Sequence, residues 1–130
     1  MPKTAKKPTR SKIVKKLDVI FSQYIRLKYA DKNGMVKCFT CDSKFHWKKI
    51  QNGHFRSRRY YATRWNEQNC RPQCVRCNMF DSGRAYEFSQ QLGEKLSNEM
   101  FMLSQQTVKF TIDELNDMVR HYTCEVKRMT

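Results

Sequence analysis

The sequence predicts a small α+β domain built on a zinc module and flanked by helices. Four of its six cysteines form two C-x-x-C pairs, and on either side of them apolar residues recur at helical spacing. Short β-like pieces, 45–47 and 53–55, and a basic loop lie between the pairs. The 130 residues, 39% of them hydrophobic, are enough for one domain with a modest core. A metal would add stability to a core of that size.

The charge pattern predicts a nucleic-acid partner. Of the net charge of +14, all the excess lies in residues 1–84, which hold 21 basic and five acidic side chains, against five and seven in residues 85–130. A phosphate polyanion fits this distribution. An anionic membrane is the alternative, but residues 38–84 show no amphipathic basic helix. No apolar run approaches a membrane span and no leader opens the chain, so we expect no membrane partner and a cytoplasmic protein.

The chain is expected to begin with a basic flexible arm over residues 1–12, since this stretch is polar and contains two prolines. Its expected phosphate contacts are Lys6, Lys7 and Arg10. Residues 13–130 then form a single domain that opens with a helix over 13–30. The apolar residues of that helix recur at helical spacing: Ile13, Leu17, Ile20, Phe21, Tyr24, Ile25 and Leu27.

The two C-x-x-C pairs predict a structural zinc site. Two such pairs complete a tetrahedron of thiolates, and a reducing compartment keeps them free for metal. The predicted ligands are Cys38, Cys41, Cys74 and Cys77; the alternative is four ordinary buried thiols. The 32 residues between the pairs exceed the spacing of a simple zinc ribbon, so a further segment is inserted there. Cys70 and Cys124 lack the spacing and are expected to stay outside the site.

The zinc core is expected to span residues 35–92, and C-terminal helices follow over 94–129. A helix should run from just after the last cysteine pair to about Leu92. The final helix should begin at Thr111, because Thr111-Ile-Asp-Glu114 fits a capping box. Its apolar stripe is expected to pack in the core: Ile112, Leu115, Met118, Val119, Tyr122 and Val126.

The inserted segment resembles the HNH (ββα-metal) nucleases. That family has a His on its first strand, an Asn in the connecting loop, and a His or Asn opening the helix directly after a C-x-x-C. Here His54 is followed fifteen residues later by Asn69, and the run N-x4-C-x-x-C-N ends at Asn78. The resemblance implies a treble-clef or ββα-metal core.

A closer resemblance covers residues 13–128. The strings CFTC, GHFRSR, RWNEQN and QCVRCN, with the Gly83 that follows, look like the phage NinG (Rap) recombination proteins. The resemblance implies an endodeoxyribonuclease that cuts branched DNA such as Holliday junctions, a fold similar to phage endonuclease VII, and a phage-encoded protein acting in a bacterial host. Larger members carry an extra Cys-rich N-terminal segment, where this chain has the basic arm.

Each of the three polar residues of the motif, His54, Asn69 and Asn78, has an expected role in phosphodiester hydrolysis. A neutral histidine with a pKa near 6.5 accepts a proton from water, so His54 is the expected general base. Mg²⁺ or Mn²⁺ would neutralise the phosphate. By resemblance, Asn78 ligates that ion, and Asn69 holds the loop and orients His54.

One position departs from the HNH pattern. Many HNH enzymes place an Asp or His before the base as a second metal ligand, whereas this chain has Gly53. Asp81 is the candidate replacement, because on a helix it shares a face with Asn78. Glu67 is a second candidate. The alternative for Asp81 is a solvated acid that favours the helix dipole.

A basic loop follows the base, and aromatic residues are interleaved with its arginines. We expect it to grip phosphates beside the scissile bond. The arginines concerned are Arg56, Arg58, Arg59 and Arg64. The alternative is a solvated basic loop over buried aromatics.

Two other functions remain open from the sequence. One is a zinc-folded DNA-binding recombination accessory protein without catalysis. The other is an HNH nicking enzyme that acts on linear duplex. Resolving a four-way junction needs two cuts, so a homodimer is expected. The apolar stripes of the helices at 13–30 and 111–129 are possible dimer surfaces or core.

Overall fold

A computed structural model describes residues 7–130 and confirms the α+β class. Four strands lie at Met35–Lys37 (β1), Lys44–His46 (β2), Gln51–His54 (β3) and Cys70–Gln73 (β4). The α-helices are Arg10–Lys28 (α1), Tyr61–Arg64 (α2), Ala85–Leu92 (α3), Glu94–Ser104 (α4) and Ile112–Met129 (α5). A π-helical segment, Arg76–Phe80, follows β4, and 3₁₀ turns lie at Trp47–Lys49 and Glu67–Asn69. None of the described helices has the length and apolar composition of a membrane span.

Helix α1 begins earlier than its apolar pattern predicts. The Thr9 hydroxyl accepts a hydrogen bond from the backbone nitrogen of Lys12 at 3.3 Å, which caps the first turn. Residues 10–12 therefore belong to the helix and not to the arm, and the helix ends at Lys28 rather than at residue 30. The predicted contact Lys6 lies outside the described residues.

Helices α1 and α5 pack on each other and form the larger core. Leu17, Phe21 and Ile25 are buried with Leu115 and Tyr122 in one cluster. The capping box predicted at the start of α5 is present. Most of the two apolar stripes considered as dimer surfaces is therefore covered within the chain, whereas Ile112 of the second stripe is 37% exposed.

A half-buried carboxylate ties α1 to α5. Glu67 accepts hydrogen bonds from the hydroxyls of Tyr24 at 2.9 Å and Tyr122 at 3.2 Å, and from Lys28 at 3.1 Å. Burial raises the pKa of Glu67, but the bonds from Tyr24 and Lys28 outweigh it and hold the pKa below its usual value. These partners engage both carboxylate oxygens, so Glu67 stabilises the packing of the helices. It is therefore not free to bind the catalytic metal, for which it was the second candidate.

The strands form two antiparallel hairpins that carry the cysteine pairs. In the first, Val36 lies opposite Phe45, and the turn after β1 holds one C-x-x-C pair. In the second, His54 at the end of β3 lies opposite Cys70, and the other pair follows β4 directly. Three of these cysteines are buried together with two apolar residues in a second cluster, which consists of Val36, Cys38, Ile50, Cys74 and Cys77.

The helix predicted to run unbroken to Leu92 is interrupted. The π-helical segment ends at Phe80, and three successive residues then adopt left-handed conformations: Ser82 (φ 53°), Gly83 (φ 84°) and Arg84 (φ 48°). The amide of Gly83 donates to the carbonyl oxygen of Cys77 at 2.8 Å, which closes the turn. Helix α3 begins only at Ala85, so the predicted helix is divided into two segments.

Candidate functional site

Four thiols meet between the two hairpins. Their sulfur atoms all lie within 4.8 Å of one another, the one such group of ligand atoms in the described part of the chain, and belong to Cys38, Cys41, Cys74 and Cys77. The sulfurs of Cys41 and Cys74 are 3.7 Å apart. Zinc with bonds of about 2.3 Å separates tetrahedral sulfurs by about 3.8 Å, so the thiols fit that ion. Cys70 and Cys124 lie outside the cluster, as their spacing predicts.

Hydrogen-bond donors face these sulfurs. The backbone nitrogen of Cys74 lies 3.3 Å from Cys38 Sγ, and Nη1 of Arg84 lies 3.9 Å from Cys77 Sγ. Donors of this kind stabilise the negative charge of thiolates and orient them. The left-handed turn that ends at Arg84 therefore brings a guanidinium to the cluster.

An open cleft of about 530 Å³ lies between α1, β3 and the π-helical segment. His54 and Asn78 both line it. Further lining side chains come from all three elements and from the basic loop, and include Asp18, Gln51, Asn52, Arg58, Met79 and Ser82. Because Asn78 follows Cys77 directly, the thiol cluster anchors one wall of the cleft.

One hydrogen bond holds the imidazole of His54. Its Nε2 lies 2.9 Å from the carbonyl oxygen of Arg64, which can only accept, so Nε2 carries the proton and Nδ1 keeps a lone pair. Burial lowers the pKa of His54 to about 4, although the bond to Arg64 acts in the opposite sense. The ring is therefore neutral at pH 7.

This burial predicts a pH-dependent stability. His54 is protonated with a pKa near 6.5 in the unfolded chain and about 4 in the folded one, so its contribution is complete above pH 6.5 and is lost as pH falls toward 4. From pH 7 to pH 4.5, the parent should lose about 2 kcal/mol more unfolding free energy than His54→Gln. Urea unfolding of both proteins measures the difference, and comparing the two cancels acid effects on the thiols. Equal losses would contradict the burial of a neutral imidazole.

Asn69 ties together the loop that carries this carbonyl. It is fully buried, its Nδ2 donates to the carbonyl oxygens of Arg56 at 3.0 Å and Thr63 at 3.1 Å, and its Oδ1 accepts from the Arg56 amide at 2.8 Å. Arg64, the partner of His54, follows Thr63 directly. Asn69 thus holds the loop as expected, and its effect on catalysis stays a prediction.

Asn78 contributes an amide to the cleft. Its Nδ2 donates to Oε1 of Gln51 at 2.9 Å, and that bond leaves the amide oxygen, the atom that Mg²⁺ prefers, uncommitted. A second amide oxygen, Oδ1 of Asn52, is buried with no hydrogen-bond partner among the described residues. These oxygens fit a hard cation as ligand types, but neither brings a negative charge.

Asp81 does not join Asn78 in the cleft. The expectation required a continuous helix, whereas the helical segment ends at Phe80 and Asp81 caps it. Its exposed carboxylate lies 3.9 Å from Nε of Arg76, and it is absent from the cleft lining among the described residues. The structure thus favours the solvated acid.

The carboxylate that lines the cleft is Asp18 of α1, which the sequence analysis missed. It accepts hydrogen bonds from Nε of Arg64 at 3.1 Å and from Nε1 of Trp65 at 2.9 Å. Both of its oxygens are engaged by Arg64, so Asp18 positions the loop behind His54. The sequence contains one feature that could have drawn attention to this residue: Asp18 is the sole acid in the 19 residues of α1.

The side chain of Gln73 explains why a glycine precedes His54. A Cβ atom at Gly53 would lie 2.0 Å from Oε1 of Gln73. Gln73 is fully buried, and its Nε2 is held by Thr40 Oγ1 at 3.0 Å and by the carbonyl oxygen of Gly83 at 2.9 Å. The side chain of Gln73 fills the space that an aspartate at position 53 would need. Packing therefore excludes the carboxylate that many HNH enzymes place directly before the base.

We expect Gly53→Ala to lower the free energy of unfolding by about 1–3 kcal/mol, the usual cost of overfilling a packed site. Urea unfolding measures the change. The same substitution in a Gln73→Ala background should cost less, since the overlapping side chain is gone. A full cost in both backgrounds would show that Gln73 is not the obstacle.

Among the arginines of the basic loop, Arg58 suits phosphate contact best. It lines the cleft, and 63% of its side chain is exposed. Arg56 is instead packed between the rings of Tyr60 and Phe101, 4.7 Å from each centroid, and its Nε donates to Ser104. The structure therefore corrects the expectation for Arg56, which stabilises the loop through its aromatic neighbours.

Of the other residues predicted to contact DNA, some are bound within the chain and some are exposed. Arg64 is half-buried and bound to Asp18, so its charge is satisfied within the chain. Arg10 donates to a backbone carbonyl ahead of α5 at 2.6 Å. Arg59 and Lys7 are exposed. Contact of these residues with DNA stays a prediction.

Fold and site together define a small α+β protein with a four-cysteine cluster that could bind zinc. A family model described as Bacteriophage Lambda NinG protein matches residues 1–130, and the chain belongs to this phage recombination protein family. Among curated proteins and solved structures, no significant match to the chain was found.

Proposed function

We propose that this protein is a metal-dependent DNA endonuclease of the HNH type with His54 as its general base. The observation that carries the proposal is the state of that histidine. It is neutral, its Nε2–H is bound to a backbone carbonyl, and Nδ1 keeps a lone pair beside a cleft wall that carries Asn78. A general base needs this combination of an unprotonated nitrogen and a fixed orientation.

In the proposed reaction, Nδ1 of His54 takes a proton from water as the water oxygen attacks phosphorus. The bond from phosphorus to the 3′ oxygen breaks, and that oxygen leaves with a proton taken from solvent water, while His54 returns its own proton to solvent. Arg58 binds the phosphate at the cleft rim. Asn69 and Asp18 act as positioning residues, because they hold the loop whose carbonyl orients His54.

A bound Mg²⁺ or Mn²⁺ would supply neutralisation of the phosphate and of the leaving oxygen. Asn78 is the proposed protein ligand, through its amide oxygen. With Asp18 engaged by Arg64 and no room for a side chain at Gly53, the cleft offers no free carboxylate among the described residues. We therefore expect weak binding of this ion in the absence of DNA.

The four thiols are proposed to bind one structural Zn²⁺ per chain. This closed site would fix the turn after β1 against the π-helical segment, and so hold Asn78 opposite β3. A hairpin, here β3 and β4, followed by a helical segment is also the order of elements in the ββα motif of HNH nucleases. This correspondence supports the proposed treble-clef core.

Branched recombination intermediates are the proposed substrate, acted on in the cytoplasm of the bacterial host. Family membership is the reason for preferring them over linear duplex. Two symmetrical cuts in a four-way junction require two active sites, so a homodimer is proposed.

A second candidate is a DNA-binding accessory protein without catalysis. The lack of a free carboxylate in the cleft favours it, because most catalytic metal sites include one. Both candidates bind DNA and fold with zinc. They differ only in whether phosphodiester bonds are broken.

A cleavage assay with four-way junctions, flaps and linear duplex, each with Mg²⁺ or Mn²⁺, separates the candidates. We expect metal-dependent cutting with junctions cut fastest. Equal cutting of linear duplex would favour an HNH nicking enzyme. Junction binding without any cutting would refute the nuclease proposal and support the accessory protein.

A further inference from the structure

Two apolar side chains directly after Asn78 project into solvent, and the first of them lines the cleft. Met79 and Phe80 follow Asn78 directly and are 61% and 79% exposed. Met79 lines the cleft, and its Sδ lies 3.4 Å from Nε2 of Gln51. Exposed apolar groups beside a polar site commonly mark a surface that contacts a ligand.

The backbone beneath these side chains is firmly held. The amide of Asp81 donates to the carbonyl oxygen of Arg76 at 2.8 Å, and the amide of Gly83 donates to that of Cys77 at the same distance. Cys77 belongs to the thiol cluster, so the turn is tied to the most constrained part of the fold. Phe80 is therefore presented from a rigid base, as a recognition side chain must be.

The charge around the turn indicates what covers it. Arg76, three residues before Met79, is exposed and lies 3.9 Å from the carboxylate of Asp81, and Arg58 lines the cleft. Residues 1–84 carry most of the excess positive charge of the chain. A second copy of this chain would meet like charge here, whereas a nucleic acid offers both phosphates and flat apolar bases.

We propose that Phe80, supported by Met79, stacks on an unstacked base at a DNA branch point next to the scissile phosphate. This inference rests on the proposed function and deepens it by naming the feature of the substrate that is read. In continuous duplex each base is already stacked between its neighbours, and opening a step costs free energy. At a branch, a base face is available without that cost, so the contact favours branched DNA.

The test uses the zinc-loaded full chain without Mg²⁺ or Mn²⁺, so that binding is measured apart from cleavage. The probes are a four-way junction with 2-aminopurine at the branch point and a linear duplex of the same sequence. Phe80→Ala should weaken junction binding about tenfold, lose the fluorescence change, and bind duplex within about twofold of the parent. Phe80→Trp should retain both signals. Tyr86→Ala is the matched control, because Tyr86 is 72% exposed but lies on α3, beyond the turn that follows Phe80.

Three results would overturn the proposal: parental junction affinity in Phe80→Ala, an equal loss on junction and duplex, or a loss of self-association in sedimentation with junction affinity unchanged. The last would assign the surface to a second copy of the chain. A parent that binds the junction with the fluorescence change but never cuts would refute the nuclease and leave this inference standing.

Discussion

His54→Ala is expected to lower the rate of DNA cleavage by about 10²–10⁴-fold, with nearly unchanged junction binding. A general base acts on the proton that moves in the transition state, so its loss appears in the rate and little in the affinity. Since the pKa of His54 is about 4, the parental rate should show no acid limb from this residue between pH 8 and pH 6. Single-turnover cleavage of a junction, together with a binding titration, measures both quantities.

His121→Ala is the matched control, because that histidine is exposed on α5 and is absent from the cleft lining among the described residues. Asn78→Ala should also lose activity, but additional Mn²⁺ should restore part of it, whereas the missing base should not respond to metal. Thermal melting verifies that each variant is folded. If His54→Ala cuts branched DNA as fast as the parent, His54 is not the base and the HNH proposal fails.

Removal of the proposed structural zinc is expected to unfold the protein. A structural zinc site of four thiolates contributes about 10–16 kcal/mol of apparent free energy, which is comparable to or larger than the about 5–15 kcal/mol that stabilises a typical domain. Here the thiols join two separate hairpins, each only three or four residues per strand. Cys74→Ser should therefore lose the metal and the cooperative thermal transition. Elemental analysis and circular dichroism measure the two effects.

Two other cysteines provide controls for this result. Cys124→Ser changes an exposed thiol on α5, and Cys70→Ser changes a buried one outside the cluster. Both should retain one zinc per chain, and the exposed variant should melt like the parent. Purified parent without zinc, or a melting curve unchanged by a strong chelator, would contradict the assignment.

Much of the fold follows from local sequence patterns. The helical spacing of apolar residues located α1 and α5, and Thr111 with Glu114 correctly marked the start of the latter. Paired cysteines predicted which four thiols meet, because spacing within each pair is a local property. The start of α1 was missed because it depends on a single cap, Thr9, and not on the apolar repeat.

Two of the predicted site residues could be located from the sequence for a similar reason. His54 and Asn78 occur at set distances from the cysteines, so a known motif locates them, and both line one cleft. The charged residues that lie next to His54 could not be predicted from such a motif. Asp18 lies 36 residues before His54, and its role exists only because α1 packs against the loop that follows β3.

Spacing along the chain was thus sufficient to locate the thiols and the long helices, and the role of His54 as a base stays a prediction. Contacts between distant segments decided the rest, since the partner of a side chain depends on which elements pack together. Arg56 and Arg58 look alike in the sequence, yet one is packed between aromatic rings and the other lines the cleft. A contact between distant segments also explains why no carboxylate precedes His54, because the space at Gly53 is filled by Gln73 from the neighbouring strand.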